Sequence, residues 1–145
     1  MKTIWLDMDG TIADLYGVDG WLDMIKECDT TPYKIAKPLV RMATLARLLN
    51  NRQRKGYHIG IVSALAKDSS PAYDIAVMKA KLEWLKHHLP SVRFDEICFV
   101  PYSYVKNNVN NREDILFDDE IRHREAWAGT AYDPIDIIEV LRSLC

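Results

Sequence analysis

Five residues near the start of the chain, Asp7-Met8-Asp9-Gly10-Thr11, follow directly on a short apolar run from Thr3 to Leu6. Side chains two apart in an extended segment project to the same side, so Asp7 and Asp9 can face one small ligand while Met8 turns away. Gly10 permits a sharp turn and close backbone approach. Carboxylates held close repel, which raises one pKa and suits that group to acid and base work, while the other wants a cation. Asp118 and Asp119, ending another apolar run, add acid. Carboxylates from two strand ends, with a backbone carbonyl and water, make a hard oxygen site of the kind Mg²⁺ takes, completed by substrate phosphate.

The charge on a phosphoryl group in transfer lies on its equatorial oxygens, so fixed donors and cations must surround it. Ser63, ending a second apolar run, offers its hydroxyl and the backbone N–H groups that follow, beginning with Ala64. Lys106 lies in the loop before the acidic pair and Lys81 on a long helical segment; Gly10 and Thr11 complete the candidate phosphate side. The four histidines form no metal-ligating cluster: His87 and His88 lie near a helix end, His58 in a strand, and His123 alone. Each reads as a surface or structural residue.

These residues need a scaffold that brings distant strand ends together. Four short apolar runs, Thr3 to Leu6, Tyr57 to Val62, Ile97 to Val100 and Ile115 to Phe117, read as buried strands. Helical spacing marks segments from about Pro38 to Lys55, Pro71 to Leu89 (with Ile75, Met78, Leu82, Leu85 and Leu89 recurring at threes and fours), and Pro134 to Leu144, where Ile135, Ile138 and Leu141 share a face. Alternating strands and helices predict an α/β, doubly wound Rossmann-like parallel sheet covered on both faces, with ligands bound beyond the carboxyl ends of the strands. Residues 14–37 fit neither pattern. They read as a small cap or lid, with a short helix around Gly20 to Cys28 and a turn at Asp29 to Pro32. Tyr16, Trp21 and Tyr33 within it can stack on a base or form the lid's own core.

At 145 residues the chain suits one domain spanning 1–145. A net charge of -2 speaks against a long nucleic-acid partner, since backbone binders are more basic. Arg52, Arg54 and Lys55 close a helix and complement its dipole. Three scattered cysteines, the early acidic residues and the absence of an apolar run near the roughly 18 residues of a membrane span predict a cytoplasmic protein without membrane insertion.

With DMDGT at residues 7–11, a strand-ending Ser63, a downstream lysine and the acidic pair, the sequence resembles the haloacid dehalogenase (HAD) superfamily of phosphatases across nearly the whole chain. More narrowly, Lys81-Leu-Glu-Trp84 followed by a lysine-bearing loop and Leu116-Phe-Asp-Asp119 resembles the 5'(3')-deoxyribonucleotidases. The resemblance implies that Asp7 attacks phosphorus, that Asp9 protonates the leaving oxygen and then activates water, and that Mg²⁺ is held by the Asp7 carboxylate, the Asp9 carbonyl and Asp119, with Asp118 standing behind. Ser63 and Lys106 would hold the phosphoryl group, Lys81 would match a further phosphate-side lysine, and the substrate would be a small phosphomonoester, by the narrower match a deoxyribonucleoside monophosphate. The chain departs from the nucleotidases in its short cap, about two dozen residues, and in two extra residues between Lys106 and the acidic pair. Two other readings compete. A receiver-like phosphoacceptor module would carry the acidic pair after the first strand and a lone Asp later, the reverse of the order here. A non-catalytic relative would bind a phosphorylated ligand without turnover.

Overall fold

The computed structural model describes residues 2–107 and 113–144. Its strands are β1 (Thr3–Leu6), the two-residue β2 (Ala13–Asp14) and β3 (Lys37–Pro38), β4 (His58–Ala64), β5 (Glu96–Val100), β6 (Ile115–Phe117) and β7 (Thr130–Tyr132). The helices are α1 (Trp21–Lys26), α2 (Thr31–Ile35), α3 (Met42–Arg54), α4 (Pro71–His88), α5 (Ile121–Ala126) and α6 (Ile137–Ser143). Five strands pair in parallel in the order β5-β4-β1-β6-β7, and β2 pairs with β3 in a separate antiparallel ladder. Counted along the chain within the sheet, the order is 3-2-1-4-5, the doubly wound pattern; a receiver has 2-1-3-4-5. The topology therefore removes the receiver reading.

Strand alternation builds the core on both faces. Ile4, Leu6, Ile59, Ile61, Ile115 and Phe117 pack with Leu45 and Leu49 of α3, Trp84 and Leu85 of α4, and Ile137 and Leu141 of α6. Trp5, Val62 and Leu116 pack with Trp127 in a second cluster. Gly60 makes room there, because a Cβ at this position would lie 2.6 Å from the Trp5 ring. At the amino end of the sheet, buried Asp114 accepts from Thr3 N (2.9 Å) and Trp5 Nε1 (3.0 Å), while its carbonyl accepts from Trp127 Nε1 (3.0 Å) and Thr130 N (3.1 Å). One residue thus fixes the relative height of β1, β6 and β7.

Several boundaries differ from expectation. The helix expected from about Pro38 begins at Met42, since Pro38 lies in β3; a 3-10 turn over Pro134–Asp136 precedes α6, leaving Ile135 87% exposed. On α4 the buried face is Tyr73, Val77, Ala80, Lys81, Trp84 and Leu85, with Ile75 and Leu82 exposed. The helix is turned so that it meets both the sheet and the lid, where Trp84 Nε1 donates to the Ala36 carbonyl (2.8 Å). Arg52 lies in the last turn of α3 as expected, and it is also buried and donates to the Leu144 carbonyl, tying α3 to the end of α6. The short elements β2, β3, β7, α2 and α5 lie outside the predicted set, α2 starting at Thr31 within the run read as a turn.

Candidate functional site

Asp7 immediately follows β1, and Asp118 immediately follows β6, its neighbour in the sheet. Chain order reverses direction between these two strands, so their carboxyl ends diverge into the crevice where such sheets bind ligands. Carboxylate oxygens of Asp7, Asp118 and Asp119 lie within 4.8 Å of one another. Lys106 Nζ donates to Asp7 Oδ1 and to Asp118 Oδ2, both at 2.7 Å. The Glu120 N–H caps the other Asp118 oxygen at 2.9 Å.

The Asp7-to-Thr11 segment folds into a tight loop in which the N–H groups of Thr11, Ile12 and Ala13 all donate to the Met8 carbonyl. Gly10 adopts φ +79°, and a Cβ on it would lie 2.4 Å from Asp119 Oδ2, so a side chain here would be both strained and obstructed. Thr11 Oγ1 bonds Asp7 Oδ2 (3.0 Å) and Asp119 Oδ1 (3.3 Å), and receives the Asp119 N–H (3.2 Å). The expectation that Gly10 and Thr11 present donors to phosphate is thereby corrected. The Gly10 N–H donates to the Ala13 carbonyl, and the Thr11 hydroxyl orders the carboxylates.

Lys81, expected on the phosphate side, is 1% exposed. Its three N–H donors go to Asp9 Oδ2 (2.9 Å), Ser63 Oγ (2.6 Å) and the Ala64 carbonyl (2.7 Å). The ammonium is spent within the protein. Ser63 is wholly buried against it, and the Leu65 N–H beyond donates to the Val100 carbonyl at 2.8 Å. Ser63 therefore lies behind the wall of the site, whereas Ala64 lines it. Asp9 lines the cavity too, its Oδ2 held by Lys81.

A cavity of about 180 Å³ opens over these groups. Its floor carries Asp7, Asp9, Ala64 and Lys106; its roof is the lid, with Leu15, Tyr16, Trp21, Leu22, Ile25 and Tyr33. Tyr16 and Trp21 meet edge to face with ring centres 4.9 Å apart, while Tyr33 is buried between the lid and α4, in one cluster with Leu15 and with Tyr73 and Val77 of α4. Lys67, Arg122 and His123 also reach the cavity, and none of them belongs to the site expected from the sequence. Their signal was weak, since each lies in a loop or short helix whose direction depends on tertiary packing.

Electrostatics follow the crowding. Burial and then the Asp7 charge push Asp118 up to about 6; the same causes, with Asp118, push Asp119 up to about 8. Burial raises Asp9 against the opposing pull of Lys81. Burial alone would depress Lys106, but the Asp7 and Asp118 carboxylates outweigh it and hold the ammonium charged. Three converging carboxylates with upward-shifted members are a donor set short of positive charge, and hard oxygens at this spacing fit Mg²⁺. The Asp9 carboxylate is not part of that group, being engaged by Lys81.

No family model and no curated protein matches the sequence. Solved structures do share the fold. A D,D-heptose 1,7-bisphosphate phosphatase from Burkholderia thailandensis aligns over 99% of this chain and 100% of its own, with a TM-score of 0.58 and 12% identity. A D,D-heptose 1,7-bisphosphate phosphatase from B. bronchiseptica, complexed with magnesium and phosphate, aligns over 90% of this chain and 78% of its own, with a TM-score of 0.56 and 16% identity. Among the described residues no helix is long and apolar enough to cross a membrane. The molecule is thus an α/β, doubly wound parallel sheet of the architecture seen in those two phosphatases, with an acidic crevice at the reversal of strand order.

Proposed function

We propose that the chain is a Mg²⁺-dependent phosphomonoester hydrolase of the HAD type. One observation carries the reading: Asp7, Asp118 and Asp119 converge within 4.8 Å, and Asp7 joins Asp9 and Lys106 in lining a cavity. The fold shared with two phosphatases, one of them holding magnesium and phosphate, supports it. Asp7, Asp119 and the Asp9 carbonyl would hold the ion, with Asp118 behind them bonded to Lys106. When bound, Mg²⁺ supplies charge neutralisation for the phosphoryl oxygens and the crowded carboxylates.

Asp7, oriented by Lys106 and Thr11, attacks phosphorus. An O–P bond forms from its carboxylate, the bond from phosphorus to the ester oxygen breaks, and Asp9 gives that oxygen its proton. Burial favours the protonated Asp9 that this step requires. In the second half Asp9 takes a proton from water, the water oxygen attacks phosphorus, and inorganic phosphate leaves with Asp7 regenerated. Lys106 faces the charge that develops between the two carboxylates.

For the substrate, the aromatic lid supports a phosphomonoester with a flat apolar group, a (deoxy)nucleoside monophosphate in the narrower reading. A sugar phosphate is the alternative, taken from the named substrates of the two structural neighbours. Phosphate release from nucleoside 5'- and 3'-monophosphates, sugar phosphates and p-nitrophenyl phosphate, with and without EDTA, tests both parts. Turnover that needs magnesium and vanishes in Asp7→Asn is expected; no turnover on any member would overturn the catalytic reading.

A further inference from the structure

Lys106 holds the ammonium between Asp7 and Asp118, yet it belongs to no helix or strand. Beyond the end of β5 at Val100, the described residues 101–107 carry little backbone bonding among themselves. Tyr104 N donates to the Pro101 carbonyl at 3.0 Å, a single local turn. A lysine side chain has four rotatable bonds, so a loosely held backbone would spread its ammonium over several ångströms. What holds the backbone comes from α5, the helix that follows the acidic pair. His123 Nδ1 accepts the Lys106 N–H at 3.0 Å, and Arg122 reaches the Tyr102 carbonyl at 3.4 Å.

The imidazole is built for this contact. It is 2% exposed, and its Nε2 lies 3.2 Å from Glu120 Oε2. A ring that accepts at Nδ1 must carry its hydrogen at Nε2, which is the nitrogen that faces the Glu120 carboxylate. Burial and the nearby Lys106 ammonium favour the neutral ring. Glu120 in turn neighbours Asp119, so the chain Glu120-His123-Lys106 links the acidic pair to the cation that serves it.

We infer that His123 is a positioning residue for Lys106: through Nδ1 it fixes the loop backbone at the height that lets the ammonium bridge Asp7 and Asp118. Both of its ring nitrogens are taken up, by the Lys106 N–H and by Glu120, so it acts through Lys106. The inference rests on the phosphatase reading only for its kinetic consequence; the contact itself can be measured without turnover.

The test compares full-length His123→Leu, which keeps bulk and removes the acceptor, with His123→Asn, whose amide oxygen can replace Nδ1. Amide hydrogen exchange at Lys106 reads the contact, and phosphate release from p-nitrophenyl phosphate with magnesium reads its consequence. In His123→Leu the Lys106 amide should exchange at least about tenfold faster, with kcat down about tenfold or more and KM within about twofold, as expected for a catalytic group displaced by a fraction of an ångström. His123→Asn should recover most of both. In a Lys106→Met background, His123→Leu should lower kcat no further. A Leu variant with unchanged exchange, or with fast exchange and wild-type kcat, overturns the inference, as does a further tenfold loss in the Lys106→Met background. Should the wild-type protein release no phosphate, the proposed function falls, while unchanged or accelerated exchange at Lys106 still decides the contact.

Discussion

The floor and the roof of the cavity are built on opposite principles. The floor consists of charged groups drawn from far apart in sequence: Lys106 bonds Asp7 across 99 residues and Lys81 bonds Asp9 across 72. Each is buried and answered by an opposite charge, held at the carboxyl ends of parallel strands. The roof is local. Two helices of six and five residues, with half-exposed aromatic and aliphatic side chains, rest on the face of α4 through Tyr33, Tyr73 and Val77. On the proposed function the difference separates bond making from recognition: strand ends fix atoms to fractions of an ångström, whereas short helices offer a surface that can vary without moving those atoms.

Damage to the floor should therefore be severe and damage to the roof mild. Asp7→Asn should lower kcat by about 10⁴-fold or more, because it removes the nucleophile of the proposed mechanism, while leaving the fold intact by circular dichroism. Lys81→Met should act first on stability. Asp9, Ser63 and the Ala64 carbonyl would lose a buried partner, and breaking such an arrangement costs about 3–5 kcal/mol, read as a shift in the urea midpoint. A variant as stable as the wild type would show that the ammonium is not needed to hold the floor together.

On the roof, Trp21→Ala removes an edge-to-face partner of Tyr16 and part of the lining, worth about 1 kcal/mol. We expect KM for nucleoside monophosphates to rise several-fold, with kcat on p-nitrophenyl phosphate unchanged. A large kcat loss would mean that the roof takes part in the chemistry. The smallest effect belongs to a control at the far end of the sheet. Burial opposes ionisation of Asp95, but the Ile59 N–H (2.8 Å) and the Gln53 amide (2.9 Å) outweigh it and hold its pKa low. A depressed carboxylate pKa gives stability that is present above the ordinary value and lost as pH falls through the lower folded one. Asp95→Asn should thus cost about 1 kcal/mol at pH 7 and flatten the acid limb below about pH 4 in thermal melts, without altering kcat.

What the sequence discloses divides along the same line. Asp7, Asp118 and Asp119 are legible because each ends an apolar run, and a parallel sheet then has to gather them at one rim. Lys81 is legible as a residue but not as a role. Its helical spacing cannot tell that α4 is rotated to bury a lysine and expose Ile75, since that rotation is set by the lid packing on the helix. β7 and α5 are short, of three and six residues, and carry too few periods to register. His123 stands alone in the sequence for the same reason. Its partner, a backbone N–H, has no residue signature at all.

The pairing of β2 with β3 has a consequence for how this architecture can change. Asp14 sits opposite Lys37 and Ala13 opposite Pro38, while Leu39 N donates to the Ile12 carbonyl at 2.9 Å, so the segment between them leaves and re-enters the domain at one pinch point. Whatever is spliced there sees the same two fixed ends. Doubling the length of a flexible insert between such ends costs only about 0.6 kcal/mol in closure entropy. The pinch therefore lets the segment between these ends grow or shrink while the strand-end carboxylates beneath keep their geometry.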